Sequence, residues 1–171
     1  MVRLTIYESK DTTTLKIDYC LLRMDIDFIS NSPAETIGIG RKLGSQLKGG
    51  EIIALCGPLG SGKTHLIKGI AEGAGALDSR RVNSPTFVIV NQYTGRLDIY
   101  HIDAYRLNSI LEFEMIGFDD FCCPRSIVLI EWADKVESAL QGINYMRAEL
   151  AHTGQTQRGI HIRNAPGYID Y

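Results

Sequence analysis

The sequence predicts a three-layer α/β fold with a mainly parallel central sheet and a C-terminal hairpin. Three observations lead there. Gly57–Thr64 is a glycine-rich turn set between an apolar, strand-like run and an amphipathic helix. Ile127-Val128-Leu129-Ile130 is a continuous apolar run, the signature of a strand covered on both faces in a parallel sheet. Strand and helix patterns alternate along the chain, which places helices on both faces of one sheet.

Taken in order, residues 1–29 read as an N-terminal extension of short strands, with alternation in Leu4–Tyr7 and Leu15–Tyr19. Residues 30–171 read as the main domain. Ser32-Pro33-Ala34-Glu35 is a capping box: Ser at the cap, Pro at the first helical position and Glu three residues on. The helix it opens carries Ile39, Leu43 and Leu47 on one stripe, and Gly49-Gly50 ends it. Ile52–Cys56 is the next strand, followed by the glycine-rich turn and a helix that turns Leu66, Ile67, Ile70 and Ala71 inward. Val88–Val90 and Ile99–Ile102 read as strands, Ile110–Met115 as a short helix, and Met146–Ala151 with Gly159–Arg163 as a hairpin around Thr153-Gly154-Gln155.

With 171 residues, 44% of them hydrophobic and 22% charged, the chain has ordinary globular composition, which excludes a disordered or fibrous protein. A net charge of -2 argues against large-scale binding to a phosphate backbone and leaves room only for a local basic patch. The longest apolar runs are about five residues, too short to span a bilayer, and Met1–Thr5 opens no secretory signal. A soluble, cytoplasmic protein without membrane association is expected. Cys20, Cys56, Cys122 and Cys123 fit neither a zinc site nor a disulfide framework and are expected to be reduced thiols.

Gly57-Pro58-Leu59-Gly60-Ser61-Gly62-Lys63-Thr64 matches G-x-x-x-x-G-K-[ST] at every fixed position. Gly60 and Gly62 let successive backbone N–H groups converge on phosphate oxygens, and the helix starting near Lys63 points its positive end at the same anion. Lys63 can reach the β- and γ-phosphates, and the Thr64 hydroxyl can ligate Mg²⁺. The fold expected is therefore that of P-loop NTPases. No Asn precedes a Lys and no Asp is followed by Gly three positions on, so the guanine-reading motifs of small GTPases are missing and ATP is favoured. Such a site also needs carboxylates at neighbouring strand ends. Asp103 closes Ile99–Ile102 and Glu131 closes Ile127–Ile130; either can hold the metal and either can orient water. Ser84-Pro85-Thr86-Phe87 has the makings of a γ-phosphate-sensing loop or of a surface turn. His101 reads as a strand residue with a satisfied partner, while Trp132 and Tyr105 either face a partner or pack beside the site.

Gly-x-Leu-Gly-x-Gly-Lys-Thr at 57–64, Ser-Pro-Thr-Phe at 84–87, His-x-Asp-x-Tyr-Arg-Leu at 101–107, Glu114-x-x-Gly117 and Ile-Glu-Trp at 130–132 together resemble the TsaE (YjeE) family. That family comprises P-loop ATPases of tRNA threonylcarbamoyladenosine modification, and the likeness runs from about Ser30 onward. It implies a Mg²⁺-dependent ATPase, weak alone, that supports turnover of the TsaD–TsaB transferase complex and meets tRNA only through it. By motif match the nucleotide would be held by Thr36, Leu59, Gly60, Ser61, Gly62, Lys63, Thr64, His65, Ser84, Thr86 and Arg158. Thr64, Glu131 and Asp103 would form the metal set, with Asp103, Glu131 and Lys63 as the catalytic groups. Two departures stand out: Ala104 replaces the family's usual Leu, and Met24 would make a start of family-like length, so residues 1–23 read as an appended or a misassigned segment. The competing readings are a small-molecule P-loop kinase, which needs an acceptor site under an Arg-bearing lid, and a nucleotide-dependent binding module.

Overall fold

The computed structural model describes residues 5–9, 12–16, 22–78, 82 and 88–171. Strands β1 (Thr5–Ser9) and β2 (Thr12–Lys16) pair antiparallel as a separate ribbon. The main sheet has seven strands: β3 (Arg23–Ser30), β4 (Ile52–Cys56), β5 (Val90–Tyr93), β6 (Asp98–Asp103), β7 (Ser126–Glu131), β8 (Met146–His152) and β9 (Arg158–Pro166). Their order is β3-β9-β8-β4-β7-β6-β5. The central four, β8, β4, β7 and β6, are parallel, and antiparallel strands flank them on both sides. The sheet thus has the parallel centre and the terminal hairpin that the sequence predicts.

Two helices cover one face. α1 (Pro33–Gln46) starts at the predicted cap, where Ser32 Oγ accepts from Glu35 N–H at 3.2 Å. The Glu35 carboxylate reaches back to the Asn31 N–H at 2.7 Å, one residue before the cap. α2 (Lys63–Gly73) buries Leu66, Ile67, Ile70 and Ala71 completely. The two helices meet with almost no side chain between them: a β-carbon on Gly69 would lie 2.9 Å from the Gly40 Cα. The opposite face is covered by α3 (Ile110–Met115), α4 (Phe118–Phe121) and two 3-10 segments, Ala104–Arg106 and Ala133–Leu140. Three layers result, with one apolar core on each side of the sheet. Every residue of β4 and β7 is buried, and a fully buried Leu or Ile contributes about 1.5–3 kcal/mol.

Three elements differ from the sequence reading. β3 begins at Arg23 and pairs with β9 through Ile26↔Ile162 and Phe28↔Ile160, so the main sheet takes in residues assigned to the extension. Its Ile26 and Phe28 pack on the α1–α2 core, while Asp25 and Asp27 stay exposed. The strand expected at Val88–Val90 is β5, Val90–Tyr93, an edge strand whose polar Asn91 and Gln92 hide it from a hydrophobic pattern. α1 ends at Gln46, with Leu47 already extended but still 1% exposed.

Candidate functional site

β4 delivers the chain into the glycine-rich loop at the C-terminal edge of the parallel strands. Gly62 takes φ +99°, the left-handed conformation that starts α2, and its carbonyl accepts from the Leu66 N–H at 3.0 Å. Lys63, the first residue of α2, is 3% exposed. Its ammonium donates to the Gly57 and Pro58 carbonyls at 2.7 and 3.0 Å and lies 3.6 Å from the centre of the Trp132 ring. Burial pushes its pKa down, and Glu131, Asp134 and Asp103 pull it partly back. The loop thus holds a desolvated cation with acidic neighbours.

Parallel register sets Asp103 of β6 beside Glu131 of β7, both at their strand ends and on the face under α2. They are 5% and 4% exposed. Glu131 Oε1 accepts from Thr64 Oγ1 at 2.9 Å, which ties β7 to the first turn of α2. Asp103 Oδ1 caps the 3-10 segment that follows it, accepting from Tyr105 N–H at 3.0 Å. Glu131 Oε2 lies 3.2 Å from His101 Nε2, the partner expected for that histidine. A cleft of about 280 Å³ is lined by Lys63, Thr64, Asp103, Glu131, Tyr105 and Trp132, with Leu59 and His65 at its rim. One hydroxyl and two carboxylates make a hard, all-oxygen donor set, the kind Mg²⁺ accepts. Among the described residues no three His, Cys, Asp or Glu side chains are grouped so as to hold a metal ion, so a divalent ion there would need phosphate oxygens or water to complete its shell.

Trp132, immediately after Glu131, adopts φ +61°, a conformation that costs a non-glycine residue about 1–3 kcal/mol. The turn ends β7 abruptly and sets the indole over Lys63 and against Tyr105, whose ring centre is 4.9 Å away. Both aromatics therefore pack beside the site, although Tyr105 is still 54% exposed. Lys135, unremarked in the sequence, donates to the Tyr105 carbonyl and so braces this wall.

On the loop's other side, Arg158 Nε donates to the Gly60 carbonyl at 3.3 Å, and His152 Nε2 lies 3.2 Å from the Leu59 carbonyl. Both come from the β8–β9 hairpin, and His152 had no sequence signal. Thr36 is buried behind Gly62 and bonded to Ser30 Oγ at 2.8 Å. Ser61 is fully buried, its hydroxyl without a hydrogen-bond partner among the described residues. Leu59 and His65 are exposed, and Ser84 and Thr86 lie outside the described residues. Of the thiols, Cys56, Cys122 and Cys123 are free, and Cys20 lies outside the described residues. The structure thus gathers Lys63, Thr64, Asp103 and Glu131 on one cleft and sets Thr36 and Arg158 behind and beside the loop.

A glycine-rich loop joining a buried parallel strand to a helix, with carboxylates at adjacent strand ends, defines a P-loop protein. Residues 30–160 match the family model "Threonylcarbamoyl adenosine biosynthesis protein TsaE", and the chain belongs to that family. It is 41% identical over 110 residues to the tRNA threonylcarbamoyladenosine biosynthesis protein TsaE of Bacillus subtilis, covering 64% of this chain and 67% of that one. It is 38% identical over 112 residues to the TsaE of Treponema pallidum, covering 66% and 82%. The crystal structure of YdiB from Bacillus subtilis superposes with a TM-score of 0.67 at 25% identity, over 86% of this chain and 90% of that one.

Proposed function

We propose that this chain is the ATP-hydrolysing component of tRNA threonylcarbamoyladenosine biosynthesis, acting in the cytoplasm to support turnover of a TsaD–TsaB transferase. The observation that carries the reading is the convergence of Lys63, Thr64, Asp103 and Glu131 on one cleft beside a phosphate-binding loop. Lys63 and the loop N–H groups bind the β- and γ-phosphates, and Thr64 with Glu131 would hold Mg²⁺. Bound there, the ion would neutralise charge on the phosphate oxygens. Asp103 accepts a hydrogen bond from the attacking water and orients it. Trp132 and Tyr105 wall the cleft and keep bulk water from the Lys63 ammonium, strengthening its contact with phosphate. Arg158, reaching the loop from the hairpin, steadies the Gly60 turn.

A P-loop kinase is not favoured: the family is one of tRNA modification. With a net charge of -2 the chain has no basic surplus for gripping tRNA, so tRNA is met through the protein partners. Among the described residues no helix is long and apolar enough to cross a membrane. The test is to mix purified chain with TsaD and TsaB on a sizing column, with an ATP analogue or ADP, and to follow phosphate release. The expected result is nucleotide-sensitive association and hydrolysis that rises with the partners. Hydrolysis that instead depends on a small acceptor, or no association under any nucleotide, overturns the reading.

A further inference from the structure

His101 is fully buried in β6, two residues before Asp103 and on the same face of the strand. Its Nε2 is 3.2 Å from Glu131 Oε2, and the other Glu131 oxygen takes the Thr64 hydroxyl at 2.9 Å. An ionised carboxylate only accepts, so Nε2 carries the hydrogen and donates it. His101 Nδ1 is buried with no hydrogen-bond partner among the described residues. A polar ring half-satisfied in an apolar layer costs stability that a Leu or Val would not. Packing alone therefore does not account for the histidine; its hydrogen bond to Glu131 does. One carboxylate oxygen is fixed from α2 and the other from β6, which leaves the Glu131 side chain a single orientation.

We propose that His101 is a positioning residue whose Nε2–H···Oε2 bond locks Glu131 in the orientation that presents it, with Thr64, to a phosphate-bound divalent ion. The inference rests on the reading of Glu131 and Thr64 as the metal-holding pair. Partners that orient a metal-holding side chain from behind are typically worth about 10–100-fold in metal affinity. Three variants separate positioning from packing. His101→Leu removes the donor at similar bulk, His101→Gln keeps an amide N–H near the Nε2 position, and His101→Asn carries one too short to reach Glu131.

The readout is Mn²⁺ affinity by electron paramagnetic resonance, with a non-hydrolysable ATP analogue bound, beside analogue affinity in EDTA and thermal unfolding. H101L is expected to weaken Mn²⁺ binding by about tenfold or more while metal-free nucleotide affinity holds, and H101Q to restore most of the loss. In an E131Q background, H101L is expected to add nothing, because the two act as one unit. If H101L does not fold, the comparison is read between H101Q and H101N, with the latter expected to lose Mn²⁺. Wild-type Mn²⁺ affinity in H101L, equal losses in H101Q and H101L (or in H101Q and H101N), or an undiminished effect in the E131Q background overturns the proposal. E131Q alone decides the underlying reading: if it leaves Mn²⁺ affinity intact, the assignment of Glu131 fails, and not merely that of its support.

Discussion

The parallel centre of the sheet and its antiparallel flank handle charge in opposite ways. At the start of α2 and the ends of β6 and β7, Lys63, Asp103 and Glu131 are 3%, 5% and 4% exposed. On the flank, the face of β3 and β9, and of β8 where it pairs antiparallel with β9, that is turned away from α1 and α2 keeps its charges near water. There Arg147 meets Glu137 at 2.6 Å and Glu149 at 2.9 Å, Arg163 meets Glu149 at 3.1 Å, and His161 pairs with Asp27. Solvent-accessible pairs of this kind contribute between almost nothing and about 1 kcal/mol each. Taking charges out of water, as the centre does, costs several kcal/mol per ion unless partners compensate. The flank arranges charge for solubility and modest stability, whereas the centre keeps charge at a cost to stability, the mark of a site built for a charged ligand.

Lys63→Ala gives the largest expected effect and is the sharpest test of that contrast. Removing a charge-assisted contact to phosphate is worth about 1.5–3 kcal/mol, so ATP affinity should fall roughly tenfold or more and hydrolysis should be lost. Relief of a desolvated ammonium whose pKa burial depresses is offset by the loss of its bonds to the Gly57 and Pro58 carbonyls and of its contact with Trp132, so the thermal midpoint should change little. Titration calorimetry and a melting curve read both. Unchanged nucleotide binding removes the phosphate-loop assignment, and a large drop in the midpoint makes Lys63 a structural cation like those of the flank.

Glu131→Gln and Asp103→Asn keep shape and remove charge. Hydrolysis should fall by roughly a hundredfold or more with circular dichroism unchanged. The variant that keeps ATP binding while losing turnover marks the group that orients water. If either variant is as active as wild type, that strand end is not part of the site.

Lys63, Thr64, Asp103 and Glu131 were legible because their chemistry is fixed by position: a loop motif between strand and helix, and a carboxylate closing an apolar run. The α2 core positions followed from helical spacing, and β7 from an unbroken run of Ile, Val and Leu. What escaped depends on contacts distant in sequence. The Trp132 indole reaches Lys63 because a left-handed residue turns the chain back at the end of β7, and nothing local announces that turn. The 3-10 segment Ala133–Leu140 is broken by a kink at Val136 and so has no clean period. β3 is a different case: Ile26 and Phe28 alternate with Asp25 and Asp27, so a half-buried strand was there to be read. The glycines of Gly40-x-x-x-Gly44 and Gly69-x-x-x-Gly73 gain meaning only once α1 is known to lie against α2.

That helix contact supplies the next test, because it holds the first turn of α2 in place for Lys63 and Thr64. Gly69→Ala would set a β-carbon 2.9 Å from the Gly40 Cα, so the helices must part, at a cost of about 1–3 kcal/mol less whatever alanine adds in helix propensity. Gly38, on the same helix as Gly40, has nothing within 4 Å of its would-be β-carbon. Gly38→Ala should therefore stabilise by up to about 1 kcal/mol. Melting curves of opposite sign are expected, with hydrolysis impaired only in G69A. Two substitutions of the same sign would mean that the close approach of α1 and α2 does not determine how the site is held.

The smallest effect belongs to the flank, and pH distinguishes it from the centre. Glu149 has its pKa lowered, first by the hydrogen bond from Arg147 and further by the charge of Arg163, while partial burial opposes them. A carboxyl depressed in the folded state contributes stability that is fully present above its unfolded value, near 4.3, and is lost as pH falls through the folded value. Glu149→Gln should therefore lower stability at pH 7 by a few tenths to about 1 kcal/mol, since the group is partly exposed and screened. The gap between variant and wild type should close as pH drops below about 4, and shrink in about 1 M salt. Hydrolysis should be untouched at pH 7. Denaturant unfolding of both proteins at pH 7 and pH 3 reads the difference. A gap that persists at low pH and in salt would mean that Glu149 acts through packing rather than charge, and the flank would then no longer stand as the solvated counterpart of the site.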